Sequence, residues 1–142
     1  MQSDDALHRL GAVDREMIEH RLRTIFERRA EGDIPGMLEY AAEDILYSTR
    51  GNWTLYPFVQ TVRGKEAVRK ILATVDVMYE NFGSNIHELV IDGDRAALHR
   101  TSHLRNRGTG ERIAIDVCDF ARFRDGLIVE FAEYPDSAAL MR

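Results

Sequence analysis

Asp119 and Glu133 occupy positions in DFARFRDGLIVEFAE where strand alternation otherwise places apolar side chains. Ile113, Ile115 and Val117 share a face with Asp119, Ala121 and Phe123, while Leu127, Val129 and Phe131 share a face with Glu133. In the preceding stretch RAALHRTSHLR the same phase groups Leu98, Arg100, Ser102 and Leu104. An inward arginine thus joins two inward acids. A lone buried charge is costly, a carboxylate beside an arginine stays ionised, and a second carboxyl against an apolar wall tends to keep its proton. Such a trio can hold one base and one acid at neutral pH: Glu133, held by Arg100, as base, and Asp119 as protonated acid or oxyanion donor. Tyr47 and Thr49, in DILYSTR, then position water or a substrate oxygen. The same residues also read as a satisfied core ion-pair network without chemistry, and the sequence leaves both readings open.

The elements that must position these groups follow from periodicity. Residues 1–12 are polar and expected to fray, leaving one domain over 13–142. From Asp14, read as an N-cap, Ile18, Leu22, Ile25 and Phe26 recur at helical spacing until Gly32. In GDIPGMLEYAAED, Asp33 caps a short second helix with Pro35 in its first turn, where a missing N–H is harmless. DILYSTR reads as a strand. NWTLYPFVQT reads as irregular, and its Trp53, Tyr56 and Phe58 suit either a pocket cap or interface packing. A third helix after RGKEA carries Val68, Ile71, Leu72, Val75, Met78 and Phe82 on one stripe. After Gly83, alternating segments punctuated by Asp92-Gly93, the Asn106 to Gly110 loop and Asp125-Gly126 form an antiparallel meander. Helices first and a meander last argue for an α+β fold, a strongly curved, mostly antiparallel sheet wrapped around N-terminal helices. A cavity walled by Ile25, Leu98 and Phe131, with Ser102 and the other polar groups among them, suits a small apolar molecule.

A chain of 142 residues, 44% hydrophobic and 30% charged, can build one core without a disulfide or metal staple. Its net charge of −5, with Lys and Arg scattered among the acids, predicts no nucleic-acid partner and no anionic membrane. Cys118 stands alone, MQSDDALHRL lacks the basic and apolar regions of a leader, and no apolar run nears the roughly 20 residues of a membrane span. A cytoplasmic protein is expected. With no Gly-rich phosphate loop, no Cys/His metal spacing and no Gly-x-Ser-x-Gly elbow, neither cofactor nor metal is expected. The outer strand phase collects His99, Thr101, His103, Cys118, Phe120, Ile128, Ala132 and Tyr134. That face is too apolar for a solvated one and suits a homodimer.

The order of the first helix, the GD turn, AAEDILY, VRGKEAVRKIL and the closing FARFRDGLIVEFAEYPD resembles the nuclear transport factor 2-like (NTF2-like) superfamily, in its SnoaL-like and ketosteroid isomerase-like branch, over residues 14–138. The resemblance implies a cone with an internal pocket and a homodimer through the open sheet face. Within it, YST, RTS and AEYPD are similar to the limonene epoxide hydrolase pattern. That similarity implies Tyr47 and Thr49 as water-holding positions, Arg100 with Ser102 at the acid's position, and Glu133 at the base's. A serine cannot deliver a proton as a carboxylic acid does. Similarity to the ketosteroid isomerases implies Asp119 as the oxyanion carboxyl, with Thr49 and Ile25 near the other two functional positions. The expected function is binding of a small hydrophobic molecule. The chemistry, where present, is cofactor-free hydrolysis of an epoxide-like substrate, or isomerisation or elimination of an enolisable one. The alternative is a non-catalytic ligand-binding or dimeric assembly module.

Overall fold

The structure, a computed structural model, describes residues 2–52 and 59–140; Trp53, Tyr56 and Phe58 lie outside the described residues. Helix α1 runs Gln2–Ala30. Asp14 is therefore interior to the helix rather than its N-cap: Gly11 ahead of it costs a helix only about 1 kcal/mol relative to alanine and does not stop it. Ile18, Leu22, Ile25 and Phe26 are buried along one side, as their spacing predicts. Helix α2 (Ile34–Leu38) is capped as expected, with the Asp33 carboxylate accepting the Gly36 N–H at 2.9 Å.

The chain continues through β1 (Ala41–Thr49), β2 (Gln60–Arg63), α3 (Lys65–Met78), β3 (Tyr79–Asp92), β4 (Arg95–Asn106), β5 (Arg112–Arg124), β6 (Leu127–Pro135) and a 3-10 turn at Ser137–Leu140. Two expectations are corrected here. Strand β2 pairs antiparallel with β1 at the end of a stretch read as irregular. Helix α3 ends at Met78, so Phe82 belongs to β3 and is partly exposed, although it keeps the helical phase of Val75 and Met78.

The six strands form one curved, unclosed sheet in the order β2-β1-β6-β5-β4-β3, antiparallel except where β1 lies parallel to β6. Its inner face packs Ile45, Leu98, Phe123 and Phe131 against Leu22 and Phe26 of α1 and Val68 and Leu72 of α3. This is the α+β arrangement expected. The Asp125-Gly126 turn, with both φ angles positive at 52° and 78°, closes the β5/β6 hairpin.

Bulges bend the sheet and re-aim side chains. Pairing steps from Arg122 with Glu130 to Phe123 with Ile128, leaving Val129 as the extra residue. That slip turns Ile128 into the core at 3% exposure, correcting its expected place on the outer face. At Gly83, φ is 100° and an added Cβ would lie 3.1 Å from the Ala30 Cβ, so glycine lets β3 pass close to the end of α1. Among the described residues no helix is long and apolar enough to cross a membrane.

Candidate active site

Strand pairing sets the polar groups in rows across the inner face. Thr49, Glu133, Asp119 and Leu98 are successive partners on β1, β6, β5 and β4. Tyr47 and Phe131 head the next row and stack with centroids 6.2 Å apart. Arg100, opposite Val117, reaches diagonally toward both acids. The expected trio is therefore brought together.

Its internal connections are unequal. Arg100 donates from Nε to Asp119 Oδ2 at 2.7 Å and from Nη2 to Oδ1 at 3.3 Å, a two-point pair. Its Nη1 donates to Ser84 Oγ at 3.0 Å, and the guanidinium lies 4.5 Å from the centroid of the Phe26 ring. Glu133 stands farther off, with Oε1 3.6 Å from Arg100 Nη2, and accepts from Thr49 Oγ1 at 3.5 Å. The Asp119 side chain is wholly buried, whereas that of Glu133 is 23% exposed. Arg100 was expected to hold Glu133. It is engaged chiefly by Asp119.

Electrostatics sharpen the inequality. Burial pushes the Asp119 carboxyl up to about 6 against the pull of Arg100, and the Glu133 charge adds to the rise. A carboxyl titrating there is chiefly ionised at neutral pH, when the expected acid would need its proton. Burial works against the Arg100 charge, but Asp119 and Glu133 outweigh it and hold the guanidinium above its ordinary value. Burial, followed by the Glu133 charge, pushes the Tyr47 phenol above its ordinary range, so it remains an O–H donor at neutral pH.

These groups meet at a cavity of about 170 Å³ between the sheet and helices α1 and α3. Tyr47, Thr49, Arg100, Ser102 and Glu133 line it, as do Ile25 and Phe131. Asp119 and Leu98 do not: Leu98 is core, and Asp119 sits behind Arg100. Glu133 is the one carboxylate among the described lining residues. Sequence reasoning missed Ser84 and Arg29, which also line the cavity. Arg29 follows Leu22, Ile25 and Phe26 at helical spacing, so its phase was available; it pairs with Asp76 of α3 at 2.5 Å. Ser84 follows the Gly83 irregularity, where alternation gives no phase.

A family model of the SnoaL-like domain matches residues 22–131. Among solved structures, an NTF2-like protein of unknown function from Burkholderia pseudomallei is 20% identical, with a TM-score of 0.77 over 87% of this chain and 94% of its own. An LEH-like epoxide hydrolase from M. tuberculosis is 18% identical, with a TM-score of 0.70 over 86% and 84%. A candidate SnoaL-like polyketide cyclase from Mesorhizobium loti is 26% identical, with a TM-score of 0.65 over 82% and 97%. No curated protein matches the sequence. The fold is NTF2-like, and the similar structures carry different names, an epoxide hydrolase and a candidate cyclase among them.

Proposed function

The chain belongs to the SnoaL-like domain family, and from that premise and the geometry of the cavity we propose that it binds a small, mainly apolar molecule and moves a proton on it with Glu133 as general base. The carrying observation is that Glu133 alone among the described cavity-lining residues offers a carboxylate, while Asp119 is spent on Arg100. Thr49 holds one Glu133 oxygen. Glu133 takes the proton from a carbon next to a carbonyl, the C–H electrons shift into the carbonyl oxygen, and the Tyr47 O–H and the Arg100 charge stabilise that oxyanion. Return of the proton at a second carbon completes an isomerisation. Asp119 positions Arg100 and touches no substrate.

The cavity volume resembles the roughly 150 Å³ site that takes up benzene, which suits a single-ring substrate. Opening an epoxide is less well served, because the acid's position is Ser102 and, among the described residues, no second carboxyl lines the cavity. Deuterium uptake from D₂O into a panel of single-ring ketones and enones, followed by NMR, tests the proposal. Wild type should exchange a ring position, Glu133→Gln should lose at least about 10³-fold, and Tyr47→Phe about 10²-fold. No exchange across the panel, with labelled diol formed from a terpene epoxide in oxygen-18 water, would transfer the assignment to hydrolysis.

A second reading, the dimeric assembly module, is favoured by the outer face. Phe120 and Tyr134 are 54% and 47% exposed there and meet edge to face at 5.7 Å. A second copy of the chain suits this patch. Under this reading Phe120→Glu converts a dimer to monomer in light scattering.

A further inference from the structure

Away from the cavity, the outer face of β3, β4 and β5 gathers two imidazoles and a carboxylate. His87, His99 and Asp116 place ligand-capable atoms within 4.8 Å of one another. These residues are far apart in sequence and stand on adjacent strands, so no motif spacing announces them. His99 Nε2 lies 3.6 Å from Asp116 Oδ1, and the His87 and His99 rings are 5.0 Å apart.

The placement of His87 depends on an irregularity in β3. Pairing with β4 steps from Ile86 with Arg100 to Glu88 with His99, leaving His87 as the extra residue of a bulge. Ile86 and Leu89 pack against the core while His87 and Glu88 are both exposed. Regular alternation would put only one of the two on the outer face. A bulge sacrifices ladder pairing and re-aims a side chain, here bringing an imidazole beside His99.

We infer that His87, His99 and Asp116 form a binding site for a divalent first-row transition ion, with zinc as the probe. Imidazole and carboxylate suit such ions, and three protein ligands leave a fourth position for water. Zinc bonds of about 2.0–2.1 Å in a tetrahedron set donors about 3.3 Å apart, close to the His99–Asp116 separation. Thr101 supports the set: its Oγ1 donates to Asp116 Oδ1 at 3.0 Å and is 2.7 Å from His87 Nε2. Such outer groups orient ligands in metal sites.

Isothermal titration of the full chain with zinc, together with cobalt absorption spectra, tests the site. One ion should bind per chain with a four-coordinate cobalt spectrum. His87→Ala, His99→Ala and Asp116→Asn should each weaken zinc at least about tenfold, since losing a ligand costs no less than losing an outer partner. All three positions are at the surface, and circular dichroism would verify that the variants stay folded. His103→Ala should bind as wild type, because His103 is held by Asn85 at 2.6 Å, outside the cluster. Absence of saturable zinc uptake, or binding undiminished by the His87 and His99 changes, would overturn the assignment. So would one zinc per two chains, which would place the ion between copies.

Discussion

Arg100 with Asp119 and Arg122 with Glu130 are both guanidinium–carboxylate pairs bridging neighbouring strands of one sheet, at 2.7 and 3.1 Å. They lie on opposite faces. The side chains of the inner pair are 7% and 0% exposed, and those of the outer pair 33% and 49%. Water screens the outer pair, whose attraction adds little to stability. Within the core, removing either partner strands the other without solvent, so the pair fixes a guanidinium in the cavity wall. Similar distances therefore do different work. Surroundings decide whether a charge pair decorates a surface or builds a site.

The sharpest way to break this contrast is to remove one partner. Arg100→Ala should destabilise by about 3–5 kcal/mol in urea, because Asp119 is left buried and unpaired. Replacing both with apolar residues, Arg100→Met with Asp119→Leu, should recover most of that loss. A double variant as unstable as the single one would mean the pair itself holds the sheet together.

Titration gives the next effect. Asp119 titrates near 6 when folded against an ordinary value of 3.8, so its folded form binds the proton more readily. Its contribution is then complete below about pH 4 and is lost as pH rises through 6, a change of about 3 kcal/mol. The stability of wild type relative to Asp119→Asn should fall correspondingly between pH 4 and 7 in urea titrations. A difference rising with pH would mean that Arg100 overrides burial.

The smallest effect belongs to the outer pair. Glu130→Gln should leave the urea midpoint within experimental scatter, since Glu130 is nearly half exposed. A clear loss there would erase the contrast between the faces.

Alternation alone placed Leu98, Arg100, Ser102, Asp119, Phe131 and Glu133 on the inner face, because strands with one buried face have their register fixed by it. Which acid Arg100 engages depends on strand order, which alternation does not supply: both acids face inward, and Asp119 is nearer because β5 lies directly beside β4 with β6 one strand further on. Bulges hid the rest. Ile128 and His87 each sit where one extra residue resets the phase, and nothing in the local residue types marks the insertion. The end of α3 was hidden differently, because Phe82 keeps the helical phase although the backbone has already turned extended at Tyr79.

The most direct test of the central claim compares Glu133→Gln with Asp119→Asn in deuterium exchange on a substrate that wild type turns over. Glu133 faces the cavity and Asp119 only positions Arg100. Glu133→Gln should therefore abolish exchange, while Asp119→Asn should slow it without abolishing it. Full loss in Asp119→Asn with exchange retained in Glu133→Gln would contradict the account and make Asp119 the base.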